Sequence, residues 1–135
     1  MLLDLNWRVM GESLPLFQEG FVATLTISLG AFVGALTLGV IACAMSLQSS
    51  RWLRAPAVVY IDAIRATPLL AQLYFLYFGL PLLGVTMPEM AVGVLALSLN
   101  SGAYVSEIIR SGIMGIPARQ MEASASAGLS YWQQM

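Results

Sequence analysis

The sequence predicts an all-α protein, a polytopic membrane helix bundle with three transmembrane helices followed by a short cytoplasmic helix. Three observations carry this prediction. Apolar residues make up 59% of the 135 positions and charged residues 10%, where an ordinary soluble domain carries about 25% charged residues. So few charges cannot cover a water-facing surface of this size, which leaves the bilayer as solvent. The charges also divide the chain into long uncharged runs, residues 20–50, 66–88 and 90–106, against about 20 residues needed to span a membrane. Finally, the basic residues are unevenly placed, and that asymmetry sets an orientation.

The same composition excludes several functions. Net charge is −1, and a nucleic-acid partner would require clustered Lys and Arg. There is no His, which removes His-based catalysis and His metal ligation. Cys43, the one cysteine, sits among apolar residues as a small packing side chain and cannot form an internal disulfide. No nucleophile–base pair and no metal-ligand cluster is evident. No enzymatic activity, cofactor or metal is therefore expected.

The first nineteen residues contain Asp4, Arg8, Glu12 and Glu19, so no basic n-region of a signal peptide precedes the first apolar run. Trp7, Leu14, Leu16 and Phe17 stand beside those charges, and residues 1–19 read as an extracytoplasmic, interfacial helix. The first span is expected near 20–47. Within it Gly30 and Gly34, like Ala31 and Ala35, are spaced for close helix contact. Arg51 and Arg54 follow it, and Arg110 and Arg119 close or follow the third span. The 48–56 loop and the tail after residue 113 are therefore placed in the cytoplasm and the N-terminus outside.

The second span is expected near 57–80. Pro68 removes a donor and opposes the carbonyl of Ile64, so the helix should kink or restart there. Asp62 and Arg65 are spaced to pair, and Gly79 with Pro81 offers a stop. Tyr74, Phe75, Tyr77 and Phe78 suit the outer interface or a gate. The third span is expected near 89–113. There Asn100, Tyr104, Glu107 and Ser111 follow an i, i+4, i+7, i+11 series and share one face. Polar groups facing lipid are costly. The face therefore lines a solute pathway or forms a helix-to-helix hydrogen-bond seam, with Glu107 paired to Arg110. Between Pro117, suited to a first turn, and Gly128, suited to the position past an end, lies a helix of small side chains, residues 117–128. It can seat close to a partner or serve as an ordinary loop, with Glu122 as its one acidic handle.

The stretch EASASAG resembles the E-A-A-x-x-x-G loop of ABC importer permeases. LPLFQEGFVATLTISLGAF, RATPLLAQLYFLYFGLP and ALSLNSGAYVSEIIRSGIMGIP resemble, in order and spacing, the permease subunit of polar amino-acid importers. The resemblance runs from about Asn6 to the end. It implies a subunit of a bacterial inner membrane importer that works by alternating access. The implied partners are a second permease subunit (identical or related), an extracytoplasmic amino-acid-binding protein and a cytoplasmic ABC ATPase dimer that hydrolyses the ATP. It also implies that Glu122, Ala123 and Gly128 are coupling positions that dock on the ATPase. The chain has no phosphate-binding glycine loop of its own. Arg119 stands where the family usually has Gly, and Ser124 where it usually has Ala. In the family an I-x-L-P element and two more spans follow this loop, so residues 1–135 are expected to be the N-terminal part of the transmembrane domain, from a truncated chain or gene fragment. A second reading is a non-transporting three-span fragment that pairs with an intact permease through the Gly30/Gly34 face.

Overall fold

The structure, a computed structural model, describes residues 7–130 and 133, with side chains from Gly11 onward. Expectations that rest on residues 1–6, on the Trp7 side chain or on the turn Tyr131–Met135, Gln133 apart, lie outside the described residues. The described secondary structure is entirely helical. Helix α1 runs over Trp7–Ser46, α2 over Arg51–Ala66, α3 over Leu69–Tyr74, a π turn over Phe75–Gly79, α4 over Leu80–Leu82, α5 over Glu89–Met114 and α6 over Ala118–Ser126. Two of these are long and apolar enough to cross a membrane, Gly11–Ser46 and Glu89–Met114.

Helix α1 joins the described part of residues 1–19 to the first span and carries Pro15 within it. Forty residues at 1.5 Å each extend about 60 Å, roughly twice a bilayer's hydrocarbon core. The three threonines Thr24, Thr26 and Thr37 return their hydroxyls to the carbonyls of Gly20, Val22 and Val33, each at 2.8 Å. Their polar atoms are thus satisfied within the helix, and these exposed faces can meet lipid.

The core is the contact between α1 and α5, and it is built from small residues. Ala31, Ala35, Ala42 and Cys43 are buried on α1, and Val92, Ala96 and Ala103 on α5. A Cβ added to Gly30 would lie 3.2 Å from the Val94 methyls, and one added to Gly34 would lie 2.8 Å from the Ser98 Cβ. At Gly39 it would lie 3.0 Å from the Gly102 carbonyl oxygen. In lipid, helices associate through packing rather than through a hydrophobic force, so such close approach is the main source of cohesion. The register rises together on both helices, 30 with 94 and 34 with 98, so α1 and α5 run parallel.

Because they are parallel, the chain between them must return along their length. It does so as a broken helix, which restarts at Pro68 where a kink or restart was expected within the span near 57–80. Residues 51–56, expected in a loop, form the start of α2. Pro68 ends the helical path, with Thr67 and Pro68 extended (ψ 138° and 139°). The second expected stop also moves. Gly79 lies inside the π turn, where an added Cβ would meet the Phe75 ring at 3.0 Å. The chain stops at Gly84 instead, whose φ of +83° suits glycine. There the Val85 N–H bonds the Leu80 carbonyl and the Gly84 N–H the Pro81 carbonyl, a Schellman end.

Candidate functional site

Pro68 lacks an N–H, and at the break Thr67 turns back on α2, its N–H 3.4 Å from the Ile64 carbonyl oxygen and its hydroxyl 3.0 Å from that of Ala63. Gln72, one turn into the next helix, adds to this cover. Its Nε2 lies 2.9 Å from the Ile64 carbonyl oxygen, 3.1 Å from that of Thr67 and 2.8 Å from the Thr67 hydroxyl. Its Oε1 accepts from Asn100 Nδ2 at 3.3 Å. One amide thus seals the break and joins it to α5. Lower on the seam, Tyr60 donates its hydroxyl to the Leu99 carbonyl at 2.6 Å. This gives α2 a second polar tie to α5.

Toward the end of α5, Glu107 is held by a fork from Arg110, with Nε to Oε2 at 3.0 Å and Nη2 to Oε1. Arg65 comes from α2 with its Nη1 3.9 Å from Glu107 Oε2. Its guanidinium carbon lies 5.7 Å from the centre of the Tyr104 ring, within cation–π range. Arg65 is therefore paired with Glu107 across the seam, not with Asp62 as the spacing on α2 suggested. Beside this cluster a cavity of about 560 Å3 opens, with Arg54, Asp62, Arg65, Glu107 and Arg110 on its wall.

The predicted polar stripe thus faces α2 and α3 at three of its positions: Asn100 on Gln72, Tyr104 under Arg65, and Glu107 between two arginines. Ser111 is exposed and bonds only its own helix, to the Ile108 carbonyl at 2.9 Å. Two residues at the break and seam, Gln72 and Tyr60, were not singled out by the sequence. The available signal for Gln72 was an amide one turn after a helix-breaking proline in an otherwise apolar run. At the opposite end of the hairpin, Tyr77 donates to Glu89 at 3.1 Å and meets Phe78 edge-on at 4.8 Å. Among the described residues, no group of three acidic or cysteine side chains gathers to hold a metal ion.

The coupling positions lie apart from this seam. Helix α6 packs on no other helix of the described chain. Pro117 precedes α6 as its N-cap, with φ −63° and ψ 137°, where a place in the first turn was expected. Glu122, Ala123 and Gly128 are all exposed. Ser124 and Ser126 bond the Met121 and Glu122 carbonyls at 2.8 and 2.9 Å, so the extra hydroxyl of Ser124 is satisfied within its own helix. The helix ends in a second Schellman motif, with Leu129 N–H on Ser124 O and Gly128 N–H on Ala125 O, and Gly128 at φ +78°. Beyond it, both the Ser130 N–H and its hydroxyl donate to Gln133 Oε1 at 2.9 Å, which is half of a capping box.

Residues 35–135 match the family model of the binding-protein-dependent transport system inner membrane component. The chain is 37% identical over 130 residues to the probable amino-acid ABC transporter permease protein YckA of Bacillus subtilis, covering 96% of this chain and 58% of that one. It is 38% identical over 134 residues to the arginine transport system permease protein ArtQ of the same organism, covering 98% and 61%. To the glutamine transport system permease protein GlnP of Escherichia coli it is 32% identical over 134 residues, covering 97% and 61%. It superimposes on a chain of a solved structure described as an amino acid ABC transporter with histidines, with TM-score 0.86 and 37% identity, over all of this chain and 62% of that one. The chain thus spans about 60% of the length of the relatives it matches. It belongs to the binding-protein-dependent transport system inner membrane component family, among the amino-acid ABC transporter permeases.

Proposed function

We propose that this chain is the membrane-spanning permease subunit of an ATP-driven importer for polar amino acids, working by alternating access. The observation that carries the reading is α6, an exposed helix of small side chains that packs on no other helix among the described residues, on a member of a permease family. In this reading α6 lies in the cytoplasm, and Glu122, Ala123 and Gly128 meet a groove on the ABC ATPase dimer. The broken segment 51–82 is the middle of three crossings, and the N-terminus lies outside. The parallel course of α1 and α5 supports this, because one return crossing must separate two parallel spans. A second permease subunit and an extracytoplasmic binding protein complete the system.

The solute path runs along the α5 face that carries Asn100, Tyr104 and Glu107. The cavity beside Glu107 and Arg110 supports this, because its wall carries both signs of charge, as a zwitterionic amino acid requires. Arginine and glutamine appear in the names of relatives, which supports a polar amino acid as the solute. The alternative of a non-transporting fragment loses the contact on which it rested, because the Gly30/Gly34 face is filled by Val94 and Ser98 of its own α5. The test is uptake of labelled polar amino acids into vesicles holding the chain, its ATPase and its binding protein. ATP-dependent accumulation is expected. Its absence across the polar amino acids, with all components inserted, would refute the proposal.

A further inference from the structure

We infer that Gln72 is a positioning residue that holds the break between α2 and α3 in its bent form and clamps it to α5 through Asn100. The inference rests on the permease reading only for its consequence in transport. Its structural basis is independent of that reading.

A break inside a membrane helix exposes backbone carbonyls that lipid cannot satisfy. In this chain the break is covered from within. Gln72 Nε2 reaches two carbonyls and one hydroxyl on the far side of Pro68, all within 3.1 Å. An amide has separate donor and acceptor atoms, so the same side chain can also accept from Asn100. The two halves of Gln72 thus do different things: the nitrogen seals the bend and the oxygen ties it to α5. Helix α3 runs on through the π turn into α4 as one helical path, Leu69–Leu82, so it can move as a unit about the break. The space alongside is available for movement. A cavity of about 380 Å3 lies between Ile64, Thr67, Gln72, Phe75 and Leu99, so α3 has room to shift relative to α2 and α5 once the clamp releases. The bend is therefore a hinge with a latch, and the latch is the Gln72–Asn100 bond.

The two halves of Gln72 can be separated by substitution. Gln72→Glu keeps an acceptor for Asn100 but sets a carboxylate against the Ile64 and Thr67 carbonyls, which breaks the seal. Asn100→Leu removes the tie and leaves the seal. Segment-resolved hydrogen exchange on the full chain in lipid nanodiscs reads both. Asn100→Leu is expected to speed exchange about fivefold over residues 69–82, the loss of one hydrogen bond's worth of protection, with residues 24–46 of α1 unchanged. Gln72→Glu should speed exchange over 60–82, on both sides of Pro68. In the double variant the two effects should fall short of additivity, because each removes part of one network. In uptake assays of the assembled transporter, Gln72→Glu should lower the maximal rate about tenfold, with the half-saturating concentration within twofold of the parent. Unchanged exchange over 69–82 in both single variants would overturn the hinge, as would equal acceleration across all helices. If exchange behaves as expected but the parent chain shows no uptake, the permease reading fails and the hinge stands.

Discussion

Gly34→Ala tests whether the contact between α1 and α5 depends on the absence of a single methyl. The added Cβ would lie 2.8 Å from the Ser98 Cβ and still closer to the Ser98 hydroxyl. Carbon atoms pack best at about 3.5–4.0 Å. A change of rotamer would move the Ser98 oxygen but not its Cβ, so only separation of the helices by roughly 1 Å relieves the clash. Overpacking of this kind costs about 1–3 kcal/mol. The alanine recovers up to about 1 kcal/mol through its better helix propensity. The net expectation is a loss of about 1–2 kcal/mol, a factor of roughly 5–30 in the folded ratio. The assay is denaturant or thermal unfolding of the chain in detergent micelles, followed by helical circular dichroism. Gly112→Ala is the control, because nothing lies within 4 Å of its added Cβ, and it should be neutral or slightly stabilising. Ser98→Gly should restore Gly34→Ala toward the parent, because it removes the obstructing atoms. Stability of Gly34→Ala equal to that of Gly112→Ala, or no recovery in the double variant, would refute the packing argument.

Three further outcomes are expected. Tyr60→Phe removes the donor to the Leu99 carbonyl and should cost about 1 kcal/mol in the same unfolding assay, with helix content unchanged. Gly128→Val places a β-branched residue at φ +78°, a strain of about 1–2 kcal/mol. That strain should raise amide exchange within residues 118–126 and leave α1 and α5 as they were. Gly84→Ala at φ +83° should loosen the turn between α4 and α5 by a similar amount, seen as faster exchange at residues 80–85 alone.

The parts legible in the sequence were those governed by pattern. The third span, expected at 89–113, is Glu89–Met114, because charges and apolar runs mark its ends. The C-terminal end of α1 and the glycine stop at Gly128 were equally readable. The small-residue spacing of Gly30 and Gly34 correctly announced a close contact, although not with which helix. The region from 51 to 84 was poorly legible for a physical reason. Its helices are held by tertiary bonds, such as Gln72 to Ile64, that no local pattern encodes. Pro68 gave the place of the break but not the side chain that seals it. Arg65 shows the same limit: spacing offered Asp62, while the fold brings Glu107 across the seam. Residues before Glu19 looked interfacial because charges dilute their apolar character. From Trp7 onward the helix nevertheless runs on into the first span, with Pro15 inside it.

In the proposed reading, α6 is the contact through which an ATPase moves the membrane domain. The most direct measurement is capture of the partner ABC ATPase by the chain in native-like membranes, comparing the parent with Glu122→Arg. Glu122 is exposed and its side chain bonds to none of the described residues, so the substitution should leave helix content and unfolding unchanged. The account predicts at least tenfold weaker capture and loss of ATP-dependent uptake. Undiminished capture together with undiminished uptake would contradict it.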